Sequence, residues 1–276
     1  MFEQYFINLA KSSEVFEAEA DDFLKDGLLH CGKCRTPKQC NVEFMGKTYH
    51  PRCMCRCEVE KQEREKELEE KRELLERVKR YRKMGFPESQ MQYWTFDNDD
   101  KSNAKMSEMA KRYVKNFDSF YKQGKGLLLH GGVGTGKTYI ACMIANALID
   151  KGYPVLVTNF SRILNTLQGT FEKQEYLDSL NQFKLLVIDD LGIERDTGFA
   201  KEQIFSIIDS RYRAGKPMII TTNLTMQKLA TESDLADKRV YDRIIERCYP
   251  VEVVGESRRV KKLINSRDEM KSLLGI

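Results

Sequence analysis

LLLHGGVGTGKTYIACMIANAL, Leu127–Leu148, decides the fold. An apolar strand, LLLH, runs straight into GGVGTGKT, Gly131–Thr138, and then into an apolar run with helical spacing. Strand, GxxxxGK(S/T) and helix follow in the order that a phosphate-gripping loop requires. Glycine tolerates backbone conformations that a Cβ forbids. The N–H groups of Gly131, Gly132, Val133, Gly134, Thr135 and Gly136 can therefore turn inward onto phosphate oxygens. The dipole of the next helix assists them. Lys137 is expected to reach the β- and γ-phosphates of ATP, and Thr138 to offer its hydroxyl to Mg2+. The lysine's charge is expected to be satisfied by phosphate alone. An idle glycine-rich turn does not call for this lysine, threonine and helix together.

Downstream, LLVIDDLG, Leu185–Gly192, is a buried apolar strand ending in two carboxylates. Asp189 is expected to hold Mg2+ and Asp190 to polarise the attacking water, as in the acidic half of a P-loop ATPase. Asp-Asp-Leu-Gly is also good turn chemistry. PMIITTN, Pro217–Asn223, is a further strand, and its Asn223 can position water near the γ-phosphate. Helices are predicted over Tyr139–Lys151, Ser161–Leu180 and Phe199–Ala214, with strands at Pro154–Thr158 and Val251–Val254. Continuous β-branched runs between helices predict an α/β fold with a parallel sheet buried on both faces.

The rest of the 276 residues differ in character. Hydrophobic residues at 41% can build a core, and 32% charged residues suit a soluble chain. No apolar run is long enough to span a bilayer. The first residues lack the pattern of a signal peptide, so a cytoplasmic location is expected. The net charge of +4 does not by itself call for nucleic acid. An amphipathic helix is predicted near the start, on Phe2, Tyr5, Phe6 and Leu9, then Val15 and Phe16. Six of the eight cysteines fall between Cys31 and Cys57, which in a cytosolic chain suggests metal rather than disulfides. Two clusters, Cys31-Gly-Lys-Cys34 and Cys53-Met-Cys55-Arg-Cys57, can close a tetrahedral zinc site, with Cys40 and His50 as further candidates. Glu58–Lys83 is almost wholly charged and predicts a solvated helix laced with pairs Glu60–Arg64, Glu67–Lys71, Glu73–Arg77 and Glu76–Arg80.

The phosphate loop, the LLVIDDLG strand and the TTN strand end together resemble AAA+ ATPases. KRVYDRIIERCYPVEVVGESRRV, Lys238–Val260, is similar to the DnaC/DnaI/IstB-like branch of bacterial and phage helicase loaders. The resemblance implies an ATPase whose arginine finger is Arg243, in RVYDR, and whose second sensor arginine is Arg259 or its neighbour Arg258, in GESRR. The resemblance also implies Arg239 and Arg247 as helpers. This chain has Asp190 where many AAA+ proteins carry glutamate. Only a short helix, Val260–Leu274, is expected after Arg259, too little for a full lid. The resemblance also implies a zinc set of Cys31, Cys34, Cys55 and Cys57, with Cys53 the first substitute, then His50 or Cys40. The expected organisation is a helix plus zinc module over 1–57, a charged linker over 58–84 and the ATPase over 85–276.

The function so implied is loading of a replicative DNA helicase by an ATP-hydrolysing, self-associating switch on single-stranded DNA. The alternative is an IstB-like helper that delivers a transposase to DNA. A zinc-domain unfoldase would need an aromatic pore loop within Phe160–Phe183, and none is evident there. A nucleotide-binding adaptor that never hydrolyses ATP would not need Lys137, Asp189 and Asn223 together.

Overall fold

Alternate residues of the buried strands feed opposite cores. Leu127, Leu129, Leu185, Val187 and Ile219 pack into one cluster, while Leu128, Leu186, Ile188, Met218 and Ile220 pack into the other. A period of two with both sides apolar is what a sheet covered by helices on each face demands. The computed structural model describes residues 18–192, 197–258, 267, 270–271 and 273–275. The predicted first helix, Arg259 and most of Val260–Leu274 lie outside the described residues. The chain divides into two compact units, Met1–Leu75 and Glu76–Ile276.

In the first unit, two hairpins pair antiparallel, β1 (Phe23–Lys25) with β2 (Leu28–His30) and β3 (Val42–Phe44) with β4 (Lys47–Tyr49). Isolated bridges His30–Pro37 and Gln39–Arg52 tie the intervening loops. Helix α1 (Arg56–Gly85), whose residues from Glu76 onward belong to the second unit, has Glu58 in its first turn and Arg82 and Lys83 in its last, which suits the helix dipole. Its ion pairs differ from those predicted. Arg56 takes Glu60, Lys61 takes Glu65, Arg72 takes Glu69 and Lys79 takes Glu76. Arg64 instead donates to the Glu60 carbonyl at 3.0 Å. On so uniformly charged a helix each side chain has partners at both three and four residues, and each exposed pair is worth little.

The second unit carries α2 (Ala104–Lys115) and α3 (Phe117–Gln123) ahead of β5 (Gly126–His130). Then follow α4 (Lys137–Asp150), β6 (Val155–Asn159), α5 (Phe160–Gly169), α6 (Lys173–Leu180) and β7 (Leu185–Leu191). The last elements are α7 (Gly198–Arg213), β8 (Met218–Thr222), α8 (Met226–Ala230), α9 (Leu235–Arg247) and β9 (Cys248–Glu252). The five strands run parallel in the order β6-β7-β8-β5-β9. Asn103 caps α2, Asn159 caps α5 and Asp234 caps α9, each accepting a first-turn N–H.

Two predicted elements change. Ser161–Leu180 is two helices, broken where Thr170 is extended (φ −113, ψ 143) after Gly169. Glycine is a weak helix former, and the break leaves Phe171 fully exposed. The last strand is Cys248–Glu252 rather than Val251–Val254. It starts directly from α9 and pairs with β5 from Gly126 onward, on the sheet edge where its Pro250 is tolerated.

Candidate functional site

The phosphate loop joins β5 to α4. At Gly131 (φ 143) a Cβ would lie 2.4 Å from the Val253 carbonyl oxygen, so only glycine lets the chain turn there. Gly136 is the left-handed N-cap of α4 (φ 99) and brings no side chain to its N–H groups. No side-chain cap therefore competes with an anion at this helix N-terminus. The Arg258 N–H closes the far side of the loop on the Gly134 carbonyl at 3.0 Å.

Lys137 is 5% exposed. Its Nζ donates to the carbonyls of Gly131 (3.0 Å) and Gly132 (2.7 Å) and to Asn223 Oδ1 (2.7 Å). The expectation that phosphate alone satisfies its charge is thus corrected: the lysine knits the loop to the end of β8. It also holds Asn223, just past β8, against the Lys137 amine.

Asp189 ends the pairing of β7 with β6. Its Oδ1 accepts from Thr138 Oγ1 at 2.8 Å and from Thr221 Oγ1 at 2.5 Å. Burial first, then the charge of Asp190, pushes the Asp189 carboxyl above its usual range, against hydrogen bonds from Thr221 and Thr138 and the charge of Lys137. The β7–β8 register shifts between Ile188 and Leu191, and Asp190 takes a left-handed conformation (φ 58) within the bulge. Its N–H donates to Thr221 Oγ1 at 2.9 Å. Thr221 therefore serves both aspartates, and sequence reasoning missed it. The signal was present in the TT that precedes Asn223. The hydroxyl of Thr138 and the carboxylate of Asp189 are hard oxygen donors side by side, a set that fits Mg2+.

Arg243 makes none of these contacts. It lies on α9, with Nε 2.8 Å from Asp209 Oδ1 on α7, and its guanidinium carbon sits 4.5 Å from the Phe205 ring centre. Arg239 supplies a carbonyl to it at 3.3 Å, and Arg247 lies over Tyr212 at 4.5 Å. Arg258 lies 5.1 Å above the Tyr139 ring and pairs with Asp100 at 3.4 Å.

In the first unit, the sulfur atoms of Cys31, Cys34, Cys55 and Cys57 all lie within 4.8 Å of one another. Cys57 Sγ is 3.4 Å from Cys31 Sγ and 3.5 Å from Cys55 Sγ. A tetrahedron of Zn–S bonds of about 2.3 Å has edges near 3.8 Å, so the donor set fits zinc. A hydrogen bond with the Thr36 hydroxyl holds the Cys34 thiol down at about 5, while Cys34, then Cys31, holds Cys57 up at about 12. The opposed demands of Cys34 and Cys57 on the thiolate state are a conflict that a dication relieves. The other candidates turn elsewhere: Cys40 Sγ to the Pro51 carbonyl (3.7 Å), Cys53 Sγ to the Pro37 carbonyl (3.6 Å) and His50 Nδ1 to Asn41 Oδ1 (2.7 Å). Sequence reasoning also missed Lys38, which is 3% exposed and ion-paired to Asp22 at 2.7 Å beneath this cluster of loops.

The parallel sheet and the phosphate site define an AAA+ ATP-binding fold. Residues 59–266 match the IstB-like ATP binding protein family, and the chain belongs to it. It is 25% identical over 247 residues to the replicative helicase loader DnaI of Bacillus subtilis, covering 83% of this chain and 78% of that one. It is 30% identical over 140 residues to the replicative helicase loader DnaC of Escherichia coli K12, covering 49% of this chain and 55% of that one. Among solved structures it is similar to that of DnaI, at a TM-score of 0.54 and 27% identity, covering 65% of this chain and all of that one. No helix of the described residues is long and apolar enough to cross a membrane.

Proposed function

We propose that this protein is a cytoplasmic, ATP-hydrolysing loader of a replicative DNA helicase. The observation that carries the reading is the joining of Lys137 to Asn223 and of Thr138 and Thr221 to Asp189, a site assembled for the γ-phosphate on a chain similar to DnaI over most of its length. Thr138 and Asp189 would hold Mg2+, which would supply charge neutralisation at the phosphates. Lys137 binds the β- and γ-phosphates, Asn223 orients water and Asp190 polarises it. Arg243 acts on the nucleotide of a neighbouring copy, with Arg259 as sensor in its own chain, so that hydrolysis follows self-association.

The four-cysteine module, stapled by zinc, is the part that grips the helicase. Phe171, wholly exposed, supplies an aromatic face to single-stranded DNA. Every base has a face for such a ring, so this contact needs no sequence code. The match to IstB-like proteins supports a second reading, delivery of a transposase to DNA. That match begins at residue 59 and leaves the cysteine module outside it. Co-purification with the replicative helicase, with and without ATP, decides between them. A nucleotide-dependent complex is expected, and failure to capture the helicase in either state would reject the loader.

A further inference from the structure

Asp209 lies near the end of α7, is 5% exposed and has no part in the nucleotide site described above. A buried carboxylate is costly unless it is paired. Its Oδ2 accepts a short hydrogen bond from Arg213, whose side chain is largely in solvent. Its Oδ1 faces Arg243 Nε at 2.8 Å, and the N–H is not aligned on that oxygen as a hydrogen bond, so the contact is ionic. The Arg243 guanidinium also stacks, 4.5 Å from Phe205 and 5.7 Å from Tyr212.

These contacts grip the base and the face of the guanidinium. Arginine recognises phosphate through the planar fork of its terminal nitrogens. Of these, Nη1 makes a long bond of 3.3 Å to the Arg239 carbonyl, and the side chain remains 28% exposed. The arrangement orders a flexible side chain while keeping its fork on the surface. Geometry fixed in advance lowers the cost of placing a charge at a reacting phosphate.

We propose that Asp209 is a positioning residue, holding Arg243 in the orientation in which α9 presents it to the nucleotide of a neighbouring copy. This rests on the reading of Arg243 as a finger acting in trans. The test measures ATP affinity, assembly and turnover in the full chain for Asp209→Asn, Asp209→Glu, Arg243→Ala and the Asp209→Asn/Arg243→Ala double variant. Asp209→Asn should bind ATP and assemble as the parent does, with turnover lower by about 10- to 100-fold, the scale of a misplaced catalytic group. Asp209→Glu, which keeps the charge one methylene further out, should fall between. The double variant should be no slower than Arg243→Ala. Mixing Asp209→Asn with Lys137→Ala should restore turnover, because the second chain brings an ordered finger to the intact pocket of the first.

Parental turnover in Asp209→Asn beside a slow Arg243→Ala would overturn the proposal and leave the finger reading standing. Additive losses in the double variant, or lost ATP affinity in Asp209→Asn, would show that Asp209 acts through something other than Arg243. Parental turnover in Arg243→Ala would remove the finger and its positioning together. Should Asp209→Asn not fold, parental turnover in Asp209→Glu would overturn the proposal in its place.

Discussion

Lys137 has two tasks, and a single substitution exposes both. Its amine, proposed above to bind phosphate, also satisfies two loop carbonyls and Asn223. Lys137→Ala should therefore abolish ATP binding, as titration of a labelled nucleotide would read. It should also lower stability, since a buried polar group left without its partner costs about 1–3 kcal/mol. In a domain of this size each kcal/mol lowers Tm by about 2–4 °C. Unchanged ATP affinity would remove the lysine from the site. An unchanged melting curve would mean that the carbonyls find water instead. The cysteines make the same kind of case. Metal analysis of protein purified under reducing conditions without chelator should find one zinc per chain in the parent and in Cys40→Ser, and little in Cys57→Ser. Zinc retained in Cys57→Ser, or absent from the parent, would refute the assignment of the four sulfurs.

At the scale of elements, the break between α5 and α6 presents Phe171 where the sequence predicted unbroken helix. Phe171→Ala should weaken binding of single-stranded DNA by about 10- to 100-fold, the equivalent of one lost stacking contact of roughly 1–3 kcal/mol. ATP affinity should not move, because the ring lies outside the phosphate loop. Equal DNA affinity in a filter-binding or anisotropy assay would assign the ring another task.

The strands of the sheet and the phosphate loop were legible because their signals are local. A continuous apolar run, a glycine turn and a carboxylate pair each announce themselves within a few residues. Thr221 was not legible, because its role depends on a bulge in β7 that brings two consecutive aspartates to one hydroxyl of β8. Asp209 escaped for a similar reason: it reads as one more charge on a helix until α9 is laid against α7. The four-sulfur set came from the family resemblance, whereas the residues alone left Cys40, His50 and Cys53 open; only the fold turns Cys40 and Cys53 to the carbonyls of Pro51 and Pro37. Periodicity alone favoured one helix over 161–180, since Gly169 and Thr170 weigh against it only weakly.

At the scale of the whole molecule, the finger proposed at Arg243 would divide one activity between two chains. Arg243→Ala should bind ATP with near-parental affinity, since its contacts lie on α7 and α9 and not on the phosphate loop. Its turnover should fall by at least ~10²-fold, toward the low end for a lost arginine finger. Mixed with Lys137→Ala, it should recover part of that turnover, because an intact pocket on one chain can meet an intact finger on the other. No recovery at any ratio, with assembly confirmed by light scattering, would place Arg243 within its own chain's chemistry or outside it.

The sheet order also governs how the chain is made. β5 lies between β8 and β9, so Leu127 waits for Ile219 on one side and Tyr249 on the other. Contacts so distant along the sequence form slowly, because a long loop must close before any pairing rewards it. During synthesis the apolar strand that carries the phosphate loop leaves the ribosome well before either neighbour exists, with both edges open to any other strand. A chain terminated after β8 would keep Lys137, Asp189 and Asn223 yet leave β5 bare along one side, and aggregation rather than weak activity is its expected fate.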